Sequence, residues 1–184
     1  FRGSVEGKPV ATAWQSRRDT LPEVAVLAGV TTAEAYQRRG IAGALCGTLV
    51  ERFDAEGGRL LWLAVSKESV RSVYERLGFR TVSGRLMCRR TGDADLYEGF
   101  APGARVGPRD TDWGDMAALV PLYAWPHECA CLDAAIDLHS TRFAPAERCV
   151  GWFWRTWRTS VMCGGAWRVL ENALWHLARV KAGE

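Results

Sequence analysis

From Gln37 to Gly43 the chain reads Gln-Arg-Arg-Gly-Ile-Ala-Gly, with side-chain donors at Gln37, Arg38 and Arg39 ahead of two glycines and the small Ala42. Glycine lets a bulky group approach a backbone N–H without meeting a Cβ. A helix that starts here would add first-turn N–H groups with no internal partner and the positive end of its dipole. Together these features suit an anion, and a phosphate above all. Taken alone, the same residues also read as a tight turn followed by solvated arginines, so the elements that hold them decide the matter.

Ile41, Leu45, Leu49 and Phe53 recur every four residues and predict a helix face, ended by Gly57 and Gly58. Before the motif, the apolar and partly β-branched run from Val24 predicts a buried strand. The motif therefore lies between a strand and the N-terminus of a helix. A second buried strand is predicted from Arg59. A short helix follows from Ser66, with Val70, Val73 and Leu77 inward and Gly78 past its end, and then a hairpin turning about Ser83 and Gly84.

Composition narrows the function classes. With 184 residues, 48% hydrophobic and 24% charged, the chain can bury one good core or two small ones, which excludes disorder. The net charge of +3 comes from scattered Lys and Arg rather than a basic stripe, so no nucleic-acid partner is implied. No apolar run approaches the roughly 20 residues that span a bilayer, so no membrane partner is expected. The six cysteines follow no recurrent short spacing and no apolar signal segment opens the chain, which reads as a reduced, cytoplasmic protein. The chain opens at Phe1, within half of a hairpin, which reads as a processed, cut or incomplete start.

Strand, Gln-Arg-Arg-Gly-Ile-Ala, helix, strand and then the Tyr-Glu-Arg-Leu-Gly-Phe run from Tyr74 resemble the GCN5-related N-acetyltransferase (GNAT) family over residues 1–90. The resemblance implies an α/β (α+β) fold with a mixed, mostly antiparallel central sheet flanked by helices. It also implies acetyl-coenzyme A (acetyl-CoA) as co-substrate, with no metal. Its pyrophosphate motif falls on Gln37, Arg38, Arg39, Gly40, Ile41 and Ala42, next to Gly43. The carbonyl and pantetheine arm would bond to the backbone of a splayed strand at Leu27, Ala28, Gly29, Val30 and Thr31. Tyr74 falls where the family uses a tyrosine as general acid for the departing thiolate, a packing aromatic being the plainer reading. Glu23, at the start of the same strand, is the nearest candidate base, acting through water, and a solvated carboxylate otherwise. Where the family often carries Asn, seven residues before the tyrosine, this chain has Lys67, which either approaches a coenzyme phosphate or is simply exposed.

Past a polar linker around residues 91–103, the composition shifts toward tryptophan. A strand, a helix capped at Thr111 or Asp112 with Met116, Leu119, Val120 and Tyr123, a second helix from Pro145 and a hairpin turning near Glu171 and Asn172 are predicted. The hairpin repeats the pattern of the chain's first 19 residues. Residues 104–184 thus read as the N-terminal half of the fold (strand, two helices, hairpin), placed after the later, cofactor-binding half in residues 1–90. The linker of about a dozen residues spans roughly 40 Å when extended. The second half therefore completes the first within one permuted domain, completes a neighbouring chain by exchange in a dimer, or begins a second unit. His127, Cys129, Cys131 and His139 match no common zinc spacing.

The sequence thus points to an N-acetyltransferase moving an acetyl group from acetyl-CoA directly to a primary amine of a small molecule or peptide. A non-catalytic acyl-CoA-binding or dimerisation module is the alternative.

Overall fold

A computed structural model of the chain describes residues 1–19, 21–65, 67–95, 108–110, 114, 117, 166–170 and 176–180. β1 (Arg2–Val5) and β2 (Lys8–Arg18) form a hairpin whose turn residues Glu6 and Gly7 have φ of 50° and 76°. Both are positive, as a tight turn matched to strand twist requires. β3 (Leu21–Thr32), α1 (Ile41–Ala55), β4 (Leu60–Ala64), α2 (Arg71–Arg76), β5 (Arg80–Ser83) and β6 (Leu86–Arg90) follow. They make a six-stranded sheet in the order β1-β2-β3-β4-β6-β5, in which β3 and β4 are the parallel pair and the remaining pairs are antiparallel. The mixed, mostly antiparallel sheet flanked by helices is the architecture expected from the sequence.

The strands nearest the motif are buried on both faces, which is why they read as unbroken apolar runs. Ala25, Leu27, Leu61, Leu63 and Met87 pack against Cys46, Leu49, Val50 and Phe53 of α1. Val24, Val26, Leu60, Trp62 and Leu86, of alternate parity, are equally buried. At the far end of α1, Arg89 of β6 donates two hydrogen bonds to the Asp54 carboxylate, at 2.5 and 2.7 Å, and a third to the Leu77 carbonyl at 3.1 Å. This clamp fixes α1 and the end of α2 against the sheet.

The helix predicted from Ser66 is shorter than its sequence pattern. Lys67 is extended, Glu68–Val70 form a 3-10 turn, and only Arg71–Arg76 are α-helical, with no side-chain cap at the start of either piece. Without a cap, nothing satisfies the first N–H groups of a longer helix.

Beyond the linker, β7 (Pro108–Asp110), β8 (Ala166–Leu170) and β9 (His176–Val180) form a separate antiparallel sheet in the order β7-β8-β9. The predicted hairpin is present as β8 and β9, with Leu170 paired to His176 across residues 171–175, a longer connection than a tight turn at Glu171 and Asn172. No described strand pairs with the outer edge of β1. Of the first helix predicted between β7 and β8 only Ala117, helical and buried, is described, its N–H donating to the Gly114 carbonyl at 3.2 Å; the rest of that helix, the second helix, and His127, Cys129, Cys131 and His139 lie outside the described residues. No helix among the described residues is long and apolar enough to cross a membrane.

Candidate functional site

β3 and β4 pair only through Val24–Leu60, Ala25–Leu61 and Val26–Trp62. Past Val26 they separate, although β3 continues to Thr32 and β4 to Ala64. One edge of β3 is thereby released from Leu27 onward, and its backbone groups must be satisfied by something other than β4. A bulge sharpens the divergence. Between the pairs Thr12–Thr31 and Trp14–Ala28, Gly29 and Val30 together oppose Ala13, and Gly29 has φ of 61°. The Thr12 hydroxyl pins it, donating to the Gly29 carbonyl at 3.2 Å and lying 2.7 Å from the Thr31 hydroxyl.

The chain leaves the open end of β3 through a 3-10 turn, Glu34–Tyr36, and enters α1 at Gly40. Gln37 donates its side-chain N–H to the Thr32 carbonyl at 3.1 Å, so it braces this loop against the strand. Arg38 and Gly40 both have positive φ, 59° and 77°, and Arg39 lies over the Tyr36 ring at 5.3 Å. The first α1 bond runs from the Ala44 N–H to the Gly40 carbonyl. The N–H groups of Ile41, Ala42 and Gly43 therefore lack helical partners. No side chain caps them and no acidic residue sits in the first turn. A Cβ on Gly40 would meet nothing within 4 Å.

Gly43 faces the other way. A Cβ there would stand 3.6 Å from Val73, so the Cα of this glycine lies against α2 while its N–H remains among the unpartnered donors of the first turn. Gly47 lies against Leu77 in the same manner, at 3.7 Å. These contacts seat α2 on the first half of α1 and bring Tyr74 to the cradle helix. Tyr74 is half-buried beside Cys46, edge-on to Phe79 with ring centroids 6.1 Å apart. Burial pushes its hydroxyl up to about 12, so it is protonated throughout the neutral range.

The other candidates are dispersed. Lys67 is exposed after β4. Glu23 is half-buried, and its carbonyl accepts the Arg59 N–H at 2.8 Å, at the end where β3 and β4 are paired. It lies four residues from Leu27, roughly 13 Å along the strand. No described contact links it to Tyr74. Among the described residues, no group of three or more His, Cys, Asp or Glu side chains could hold a metal ion.

Residues 3–79 match the model of the acetyltransferase (GNAT) family. Over this segment the chain is similar to that family. It takes in the opening between the strands, the uncapped α1 terminus and Tyr74. Solved GNAT structures resemble the chain. A GNAT family acetyltransferase from Brucella melitensis in complex with acetyl-CoA is 19% identical, with TM-score 0.42 over 51% of this chain and 58% of that one. The ribosomal-protein-S18-alanine N-acetyltransferase from Escherichia coli is 26% identical, with TM-score 0.42 over 50% and 68%. Tetrahymena GCN5 is 13% identical, with TM-score 0.40 over 50% and 66%. The chain thus spans 58–68% of the length of these three proteins. No curated protein matches the sequence.

Two features of the GNAT segment were not singled out from sequence. One is the bulge at Gly29, signalled only by a lone glycine inside an apolar strand. The other is Trp14, whose indole occupies the space beside that glycine: a Cβ on Gly29 would stand 1.9 Å from its Nε1 and 2.4 Å from its Cδ1.

Proposed function

We propose that the chain is part of an N-acetyltransferase that moves an acetyl group from acetyl-CoA to a primary amine of a small molecule or peptide by direct transfer. One observation carries the reading: the uncapped α1 N-terminus, with left-handed Gly40 opening onto free space, follows directly on the stretch of β3 that β4 has left. Free N–H groups at a helix N-terminus suit a pyrophosphate, and an unpaired strand edge suits an amide-bearing arm.

Acetyl-CoA, when bound, supplies an activated acyl carbon and a thiolate leaving group. The N–H groups of Ile41, Ala42 and Gly43 hold the pyrophosphate, with Arg38, Arg39 and exposed Lys67 as cationic neighbours. Gln37 positions the loop. The released backbone from Leu27 to Thr31, through Ala28, Gly29 and Val30, bonds the arm and polarises the carbonyl. Tyr74 donates its proton to the sulfur as the C–S bond breaks. Glu23 takes the amine's proton through intervening water, since the opening lies some 13 Å along the strand.

Residues 104–184 supply the strand and hairpin that open the same fold. The order β7-β8-β9 and the recurrence of the first hairpin support this reading. Gly114 is buried against β2, where a Cβ would stand 2.8 Å from the Arg17 carbonyl oxygen, and the reading takes the two halves as packed on one another. Cys46 and Cys88 are free thiols, which suits a reducing, cytoplasmic setting.

The test is calorimetric titration of acetyl-CoA into the chain and into Gly40→Glu and Gly40→Gln, two variants of equal size and equal backbone strain. Micromolar binding that is lost in Gly40→Glu and only weakened in Gly40→Gln is expected. Equal binding by both, or none by the parent, overturns the cradle. Tyr74→Phe separates the enzyme from a coenzyme-binding module: turnover over a panel of amines should fall 10²-fold or more at unchanged coenzyme affinity.

A further inference from the structure

We infer that Trp14 is the wall that limits acyl-chain length, confining the site to short acyl groups such as acetyl. The inference rests on the acetyl-CoA reading above and concerns a residue outside its catalytic and coenzyme-holding set.

Trp14 lies on β2, opposite Ala28 of β3 and next to the bulge. Its indole Nε1, Cδ1 and Cε2 lie within 1.9, 2.4 and 3.0 Å of the point where a Cβ on Gly29 would sit. Neighbouring strands are about 4.8 Å apart. An indole rooted on β2 that covers Gly29 therefore spans the gap between the two strands and lies over β3 at the bulge, in the stretch that β4 no longer pairs. Gly29 has no side chain, so on that face the indole is the surface offered to a group bound at the bulge. The bulge is held in place by Thr12, two residues before Trp14 on the same strand, through its bonds to the Gly29 carbonyl and the Thr31 hydroxyl. Wall and bulge are thus parts of one β2–β3 unit, and the ring is only half-buried.

An acyl group whose carbonyl bonds to the β3 backbone near Gly29 has its methyl directed into the space that Trp14 bounds. Extra methylenes meet a flat aromatic ring that packing holds against the strand. Removing the ring opens apolar volume for them. Each buried methylene then strengthens binding about fourfold, so butyryl-CoA should gain about 15-fold over acetyl-CoA.

The experiment measures the affinities of coenzyme A, acetyl-CoA and butyryl-CoA for the parent chain and for Trp14→Ala and Trp14→Phe. Circular dichroism verifies that each variant is folded. In the parent, butyryl-CoA should bind no tighter than acetyl-CoA. In Trp14→Ala the butyryl-to-acetyl ratio should rise about 15-fold, with free coenzyme A unchanged, and Trp14→Phe should keep most of the parent's discrimination. A ratio that does not move in folded Trp14→Ala overturns the wall while leaving the cradle intact. So does a parent that already prefers butyryl-CoA about 15-fold, which needs no variant at all. Failure of the parent to bind coenzyme A overturns the acetyl-CoA reading, and the wall with it.

Discussion

Gly29→Ala should be among the most destabilising single-methyl additions in the first 90 residues, and the structure separates its causes. Gly29 has φ of 61°, a conformation that costs an alanine about 1–2 kcal/mol. The added Cβ would also stand 1.9 Å from the Trp14 Nε1 and 2.4 Å from its Cδ1, so the indole must move, an overpacking worth about 1–3 kcal/mol. The total is about 2–5 kcal/mol. Gly40→Ala is the internal control. Its φ of 77° carries the same backbone penalty, but nothing lies within 4 Å of the new methyl, so only about 1–2 kcal/mol should be lost. Urea unfolding with linear extrapolation measures both, at unchanged m-value if the unfolded state is unaltered. Adding Trp14→Ala to Gly29→Ala should recover the contact part, giving a coupling energy of about 1–3 kcal/mol, whereas Trp14→Ala and Gly40→Ala should be additive. A Gly29→Ala variant no less stable than Gly40→Ala, or one that shows no coupling to Trp14, would refute the packing of indole on bulge.

Two further outcomes follow from buried titratable groups and from ion pairs. Burial holds the Cys46 thiol at about 11 and that of Cys88 at about 12, against an ordinary value near 9, and Tyr74 at about 12 against 10. The folded state then retains protons between pH 9 and 12 that the unfolded chain gives up, so stability is full below pH 9 and falls as pH rises through that window. Each cysteine contributes a slope of up to about 1.4 kcal/mol per pH unit. Denaturation under reductant from pH 8 to 11 should show the fall, and a Cys46→Ala, Cys88→Ala double variant should flatten it; an equal slope in the double variant would exclude these thiols. Asp54→Asn should cost about 1–2 kcal/mol, because it weakens the paired bonds from Arg89 that tie α1 to β6. Arg52→Ala, whose partner Glu56 is also held by Arg17 at the surface, should cost less than about 0.5 kcal/mol. Chemical denaturation that ranks Arg52→Ala above Asp54→Asn would show the clamp to be ornamental.

Sequence alone sufficed wherever a pattern reports a local cause. The stripe of Ile41, Leu45, Leu49 and Phe53 is a property of a helix buried on one side. The unbroken apolar run from Val24 is a property of a strand covered on both faces, and Gly40 ahead of Ile41 marks a helix start. Each is decided within a few residues by backbone sterics and solvent. The turn at Glu6 and Gly7 and the hairpin ahead of Leu86 are legible for the same reason.

Distances between patterns were not legible. Gly43 reads in sequence only as the second glycine of the motif, and the fold also sets its Cα against Val73, 30 positions later. Glu23 and Tyr74 suggest an acid–base pair, but one stands at the paired end of β3 and the other beside the first half of α1. Trp14 reads as an ordinary strand aromatic until the β2–β3 register sets it over Gly29, 15 positions away. Residue types and local periodicity determine which segments become strand, turn and helix. Register, bulge and the parting of β3 from β4 arise from packing between segments remote in the chain, and that packing is what sets the glycine motif after an opened strand edge.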